Sequence, residues 1–221
     1  MRILITGTSR GIGLATANRF LQEGFDVVGL DELPSSITNP HYQHYIVDVS
    51  DYNSLPEIGE VDYVFNNAGK QNSGNDINNN LVGTMNVTKK YGFNKNVKSI
   101  LFNASASAST GFEFDEYVAS KAGIVGYMKF VASQLAKQGT TVNSISLGGV
   151  LTDSNKEVME DKTSWEKIMK ATPLKKWASL EEVCDWVYFL IITNKSMSGQ
   201  DILIDNGEKD LNNTFVWPEY K

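Results

Sequence analysis

What this 221-residue chain lacks narrows its reading before anything it contains. A single cysteine rules out an internal disulfide. Cys184 lies in an apolar helical run with Val183, Val187 and Leu190 and reads as small core filler, since no histidine stands near it to activate a thiol. The two histidines, His41 and His44, lead into a strand without other ligand-type neighbours, so they read as surface residues and no metal site is expected. No apolar run reaches the roughly 20 residues that a membrane span requires. Basic residues are outnumbered by acidic ones, 20 to 26, for a net charge of −6, and no basic stripe exists of the kind a nucleic acid needs. Proline is scarce, and no Pro/Ser linker or internal repeat divides the chain. With the first strand expected from residue 3, there is no room for a signal peptide, and a cytoplasmic protein with one domain over residues 1–221 is expected. A hydrophobic content of 41% with 21% charged residues suits a globular core.

The apolar pattern predicts strands near residues 2–6, 25–30, 43–47, 61–65, 97–103, 140–146 and 201–204, alternating with helices. Such alternation means a parallel sheet covered on both faces, hence an α/β fold of three layers. The runs Val61–Phe65 and Ile100–Phe102 are continuously apolar, as strands buried on both faces should be. The Asn-rich stretch from Asn72 to Asn80 reads as a polar loop capping a helix that begins near Ile77.

Three features carry chemistry. After the β-branched run Ile3-Leu4-Ile5 comes Thr6-Gly7-Thr8-Ser9-Arg10-Gly11-Ile12-Gly13, and then helical spacing through Leu14, Ala17 and Leu21. In this strand, turn and helix Gly7 permits the tight turn, Gly11 lets backbone approach a pyrophosphate, and Gly13 lets the helix pack on the strand, with Ser9, Arg10 and Ile12 as further cofactor contacts. Asp31 closes the run Val27-Val28-Gly29-Leu30, 18 positions after Gly13, where a carboxylate accepts hydrogen bonds from adenosine ribose hydroxyls and repels a 2′-phosphate. NAD is therefore expected; Arg10, a base inside the turn, keeps NADP as the alternative. Third, Tyr117 and Lys121 stand four residues apart on one helix face, so the ammonium is expected to lower the phenol toward the range useful for general acid-base work.

These motifs resemble the short-chain dehydrogenases/reductases of the standard single-domain type. The likeness runs nearly end to end. It includes Asp48-Val49, Asn66-Asn67-Ala68-Gly69, Asn80-Leu81-Val82-Gly83-Thr84, Asn103-Ala104-Ser105, Val142-Asn143-Ser144-Ile145, Val150, Thr152 and the segment from Ser198 to Asp205. The resemblance implies a doubly wound Rossmann-type fold with about seven parallel strands, and an oxidoreductase passing a hydride between a nicotinamide coenzyme and a secondary alcohol or ketone. It further implies that Asp48 and Val49 hold the adenine, that Asn67, Ala68 and Gly69 line the ribose side, and that Val150 and Thr152 meet the nicotinamide amide and a phosphate. The implied catalytic set is Asn80, Ser105, Tyr117 and Lys121. Tyr117 gives or takes the proton, Ser105 holds the substrate oxygen, Lys121 binds the nicotinamide ribose, and Asn80 anchors a relay water. A homo-oligomer, dimer or tetramer, is implied by resemblance alone. A coenzyme-binding sensor without catalysis is the rival from another class.

Departures from the family pattern are specific. Asn80 follows Gly69 by 11 positions and Asn66 follows Asp48 by 18, so two helices are expected to be trimmed. Ser105 precedes Tyr117 by 12 positions, and Ser107 is the alternative catalytic serine. Leu147 replaces the usual proline before Gly148. Residues 151–173 correspond to a substrate lid, and its stripe Met159, Trp165, Ile168 and Met169 reads as lid or core packing. Phe112, Phe114 and Gln71 are candidate substrate contacts, and the substrate is expected to be a moderately apolar secondary alcohol or ketone.

Overall fold

A computed structural model describes residues 1–211; residues 212–221, part of the expected domain, lie outside the described residues. Seven parallel strands form one sheet: β1 (Arg2–Thr6), β2 (Asp26–Asp31), β3 (Tyr42–Ile46), β4 (Tyr63–Asn66), β5 (Ser99–Asn103), β6 (Thr141–Leu147) and β7 (Asp201–Ile204). Their spatial order is β3-β2-β1-β4-β5-β6-β7, so the chain leaves β1 in one direction and returns to its other side at β4. That reversal opens a crevice at the carboxyl ends of β1 and β4, the place where doubly wound sheets receive ligands.

Successive side chains of a strand point to opposite faces, and the sequence supplies an apolar group to each. In β1, Leu4 packs with Val28, Val64, Ile100 and Phe102, while Ile3 and Ile5 pack with Val27, Phe65 and Leu101. The first face is covered by α4 (Asp115–Leu135), which buries Ile124, Met128, Val131 and Leu135. The second is covered by α1 (Gly11–Gln22) through Ala17 and Phe20, and by α7 (Leu180–Tyr188) through Val183 and Val187. Each fully buried Leu, Ile or Phe contributes about 1.5–3 kcal/mol, so the sheet is held from both sides by burial that needs no polar partner. Helix α7 starts at a reciprocal cap in which Ser179 Oγ accepts from Glu182 N and Glu182 Oε2 accepts from Ser179 N.

The expected strand starts at residues 61 and 97 are early by two residues. Val61 and Val97 are buried plugs below the sheet, and the ladders begin at Tyr63 and Ser99. Between β3 and β4 the chain makes one 3₁₀ turn, Tyr52–Ser54, with Leu55, Ile58 and Val61 buried in place of a helix. Residues 77–92 form a helix of uneven pitch, in which α2 (Gly83–Val87) is flanked by wider π turns at Ile77–Val82 and Thr88–Gly92. Asp76 precedes it without capping it. Its carboxylate turns back to accept from Asn72 N and Ser73 N, which closes the shortened loop. The described residues also include the short α-helices α3 (Ser107–Thr110), α5 (Lys156–Glu160) and α6 (Lys162–Ala171). No described helix is long and apolar enough to cross a membrane.

Candidate active site

The turn after β1 is shaped by what cannot fit there. Gly7 has φ +76°, and a Cβ on Gly13 would sit 2.0 Å from Gly7 O, so α1 can approach the strand only through a glycine. Gly11 has φ +54° with only Thr152 Cγ2 near its missing Cβ, at 4.0 Å, so its backbone is open to a ligand at the start of α1. This fits a dinucleotide pyrophosphate. Thr6 Oγ1 accepts from both Asn67 N and Ala68 N at 2.9 Å, and Asn67 Nδ2 donates to Thr6 O, which ties the end of β4 to the turn. Asn67 Oδ1 in turn accepts from Asn103 Nδ2, linking β5 to the same frame.

At the end of β2, Asp31 is fixed by two backbone donors: Ser9 N to Oδ2 and Leu33 N to Oδ1, each at 2.9 Å. Its carboxylate lines a cavity of about 550 Å³ together with Gly7, Arg10, Gly11, Ile12 and the Asp48–Val49 and Asn67–Gly69 segments. Thus most of the expected nucleotide contacts share one crevice. Ser9 and Gly13 act from behind it as framework, and Val150, buried at 5% exposure, lines the neighbouring cavity. Among the lining residues that were not anticipated are Glu32 and Lys70, whose side chains pair at 2.8 Å.

Helix α4 brings Tyr117 and Lys121 to the inner end of this crevice. Lys121, 4% exposed, donates from Nζ to Asn103 O at 2.8 Å and lies 5.5 Å from the Tyr117 ring centroid. Burial pulls its ammonium down from 10.5 to about 8, against the opposing charges of Glu113 and Asp76. Burial pushes the Tyr117 phenol up to about 12, with a Ser105 hydrogen bond working downward and Glu113 and Asp76 upward. This corrects the expectation that Lys121 lowers the phenol. Desolvation is the largest cause for both groups, and the charges that act on the phenol beside it are those of Glu113 and Asp76.

Asn80 is fully buried in the first π turn, a kind of distortion common at functional sites. Its Oδ1 accepts from Lys70 N at 2.7 Å, while Nδ2 donates to Lys70 O at 2.8 Å and to Ser120 Oγ at 3.0 Å. Both ends of the amide are engaged inside the protein, so the expected relay water finds no free donor on it. Asn80 holds the Gly69–Lys70 backbone against α4 as a positioning residue. Ser105 is 6% exposed, and its Oγ accepts from Ser107 N at 3.2 Å besides reaching the phenol. Ser107 Oγ, on a residue 2% exposed, has no hydrogen-bond partner among the described residues.

A second cavity, about 630 Å³, holds Ser105, Ser107, Phe112, Glu113, Val150, Trp177 and Glu208. It shares Ile12, Gln71, Asn103, Tyr117, Lys121, Thr152 and Asn155 with the first, so the two spaces meet at the phenol and the lysine. Gln71 and Phe112 line it as expected, whereas Phe114 does not. The stripe Met159, Trp165, Ile168 and Met169 lines neither cavity; Trp165 packs edge-on against Trp177, which does. Glu113, unanticipated, has φ +100°, a conformation that costs a non-glycine residue about 1–3 kcal/mol, and Gln71 Nε2 donates to it at 3.0 Å. A surface groove of about 770 Å³ lies at Val61–Asp62 and Val97–Lys98, where β4 and β5 begin, far from these groups. Among the described residues no cluster of metal-ligating side chains occurs. His41 lies beside Asp26, and His44 bridges Tyr42 and Leu33 O.

A family model described as Enoyl-(Acyl carrier protein) reductase matches residues 7–209. The chain is 29% identical over 242 residues to the 3-oxoacyl-[acyl-carrier-protein] reductase FabG of Thermotoga maritima, covering 92% of this chain and 96% of that protein. To the acetoacetyl-CoA reductase of Paracoccus denitrificans it is 29% identical over 220 residues, 85% of this chain and 88% of the relative. Among solved structures it is similar to 4-hydroxyisoleucine dehydrogenase complexed with NADH, at TM-score 0.85 and 25% identity, covering 96% and 99% of the two chains.

Proposed function

The chain belongs to the short-chain dehydrogenase/reductase family of oxidoreductases, and from that premise we propose that it passes a hydride between NAD(H) and a secondary alcohol or ketone. The observation that carries this reading is the meeting of the nucleotide crevice and a second cavity at Tyr117 and Lys121. The bound coenzyme supplies or accepts the hydride. Tyr117, with its phenol pushed up to about 12, is protonated at neutral pH and gives that proton to the nascent alkoxide in carbonyl reduction. Ser105 Oγ, already at the phenol, hydrogen-bonds the same substrate oxygen. Lys121 binds the nicotinamide ribose from its anchor on Asn103 O, and Asn80 keeps the neighbouring backbone in place.

The coenzyme reading rests on Asp31, held by two amides at the ribose corner, where a 2′-phosphate would meet its charge. NADP is the second reading, favoured by Arg10 in the same crevice. Asp48 and Val49 hold the adenine, and Val150 and Thr152 the nicotinamide end. The protein is proposed to act as one domain with residues 151–173 as lid, as a cytoplasmic homo-oligomer. The test is a panel of alcohols and ketones assayed with both coenzymes. Acetoacetyl-CoA belongs in the panel, because relatives named as 3-oxoacyl and acetoacetyl-CoA reductases favour it. NAD-linked turnover of a secondary alcohol or ketone, abolished in Tyr117→Phe, is the expected result. Coenzyme binding without turnover of any member would leave the sensor reading instead.

A further inference from the structure

We propose that Glu32 is a second determinant of coenzyme choice: it masks Lys70, which when released takes the 2′-phosphate of NADP(H). The proposal rests on the function above and deepens its preference for NAD(H). Lys70 follows β4 and Glu32 follows β2, and β1 lies between those two strands in the sheet. The two loops therefore flank the glycine turn at which a dinucleotide is received. Lys70 Nζ lies 2.9 Å from Glu32 Oε1 and 2.8 Å from Oε2, so both carboxylate oxygens engage the one ammonium. Glu32 is the next residue after Asp31, whose carboxylate Ser9 N and Leu33 N fix at the ribose corner. All three charged side chains line the nucleotide crevice together with Arg10. The stem of Lys70 also starts from a fixed point, because Asn80 holds both its N and its O.

Charge then decides between the coenzymes. A 2′-phosphate brings about two negative charges to a corner that already holds Asp31 and Glu32, where the charge of Lys70 is spent on its own partner. With Glu32 gone, Lys70 and Arg10 face Asp31 alone, and a free lysine is a strong point-charge partner for phosphate. The other charged lining residues, Asp48 and Lys121, belong to the proposed adenine and nicotinamide ends. The paired side chains are 40% and 42% exposed, so the pair contributes little to stability and opening it costs the fold little. NAD(H) carries a neutral hydroxyl at this point and gains nothing comparable from a freed ammonium.

The test is fluorescence titration of NADH and NADPH into the full-length protein, Glu32→Ala, Lys70→Met and the double variant. Each NADPH affinity is taken relative to NADH, so that a general loss of binding cancels. Glu32→Ala should raise this ratio roughly tenfold or more. Lys70→Met should lower it less than about twofold while Glu32 is present and about fivefold or more once Glu32 is gone, because only a released lysine reaches the phosphate. Raising the ionic strength from about 0.01 M to about 1 M, which cuts the screening length from about 30 Å to about 3 Å, should erase most of the Glu32→Ala gain. A ratio unmoved by Glu32→Ala, or a Lys70→Met effect equal in both backgrounds, overturns the proposal and leaves NAD(H)-linked turnover standing. Tighter NADPH than NADH binding by the unmodified protein, which needs no variant to fold, overturns the masking and the preference for NAD together. Binding of neither coenzyme removes the proposed function itself.

Discussion

Lys121→Met should make this protein more stable at neutral pH while abolishing its turnover. The lysine is 4% exposed, and burial pulls its ammonium from 10.5 to about 8. At about 1.4 kcal/mol per pH unit, holding that charge inside costs the fold about 3 kcal/mol wherever the side chain is protonated in both states. Methionine keeps the stem volume and removes the charge. It also forfeits the hydrogen bond to Asn103 O, about 1 kcal/mol, and leaves that carbonyl less well satisfied. A net gain of about 1–2 kcal/mol remains, or about 2–8 °C in Tm for a chain of this size. The sign follows from the direction of the shift. Between about pH 8 and 10.5 the unfolded chain holds a proton that the folded one has released, so wild-type stability gains from Lys121 as pH rises through that window. Below it both states are charged and the penalty is constant. Urea denaturation of both proteins across this range isolates the effect, since Cys184, Tyr117 and the other titrating groups are common to the pair. The stability gap should be flat below about pH 8 and close by about 1.4 kcal/mol per unit above it. A variant less stable than wild type at neutral pH, or a gap that ignores pH above 8, refutes the reasoning.

Tyr117→Phe should lower kcat at least a thousandfold with little change in NADH affinity by fluorescence titration, because the ring keeps its place and only the proton is lost. Asp31→Ala should weaken NAD and raise the relative affinity of NADP at least tenfold in the same titration; preference for NADP by the unmodified protein would remove the ribose argument. Gly13→Ala places a methyl 2.0 Å from Gly7 O and 2.7 Å from Asn67 Nδ2, so coenzyme affinity should fall together with stability, the latter by about 1–3 kcal/mol on thermal denaturation. Asn80→Ala strips the partners from Lys70 N and Lys70 O at a fully buried site, a loss of about 2–4 kcal/mol, and kcat should drop more than KM rises as the floor beside Lys121 loosens.

The sheet was legible in the chain because its strands are buried on both faces, and a run such as Val64-Phe65 announces itself without any partner being known. The glycine turn was legible for the same local reason: the spacing of Gly7, Gly11 and Gly13 is a statement about backbone clearance. What stayed hidden depended on side chains brought together from far apart. Lys70 and Glu32 meet over 38 positions, and Gln71 meets Glu113 over 42. The protonation of the Tyr117 and Lys121 pair was misjudged because spacing on a helix gives proximity and says nothing of desolvation, which here outweighs the mutual field. Asn80 and Lys121 both lie against Gly69, but the partners of the Asn80 amide are backbone groups of Lys70 and the Ser120 hydroxyl, which no residue pattern encodes.

The shortened segments explain why so brief a chain can keep the whole arrangement. The crevice is made at the carboxyl ends of β1 to β5, with the second cavity reaching the end of β6, and the functional side chains hang from those ends, from α4 behind them or, for Asn80, from the π turn at Ile77–Val82. The connections on either side of β4 are short. One is closed by the buried plugs Leu55, Ile58 and Val61, the other by Asp76 drawing in the amides of Asn72 and Ser73. The second closure has an electrostatic consequence, since Asp76, 1% exposed, now places its charge where it acts on both Lys121 and Tyr117. The loop at residues 72–76 thus supplies one of the two carboxylates that offset desolvation of the lysine. The other is Glu113, a residue held at a costly φ. Removing either should leave the lysine more nearly neutral at physiological pH, so the chain retains strain in one loop and a buried acid in the other at the point where its proton chemistry is set.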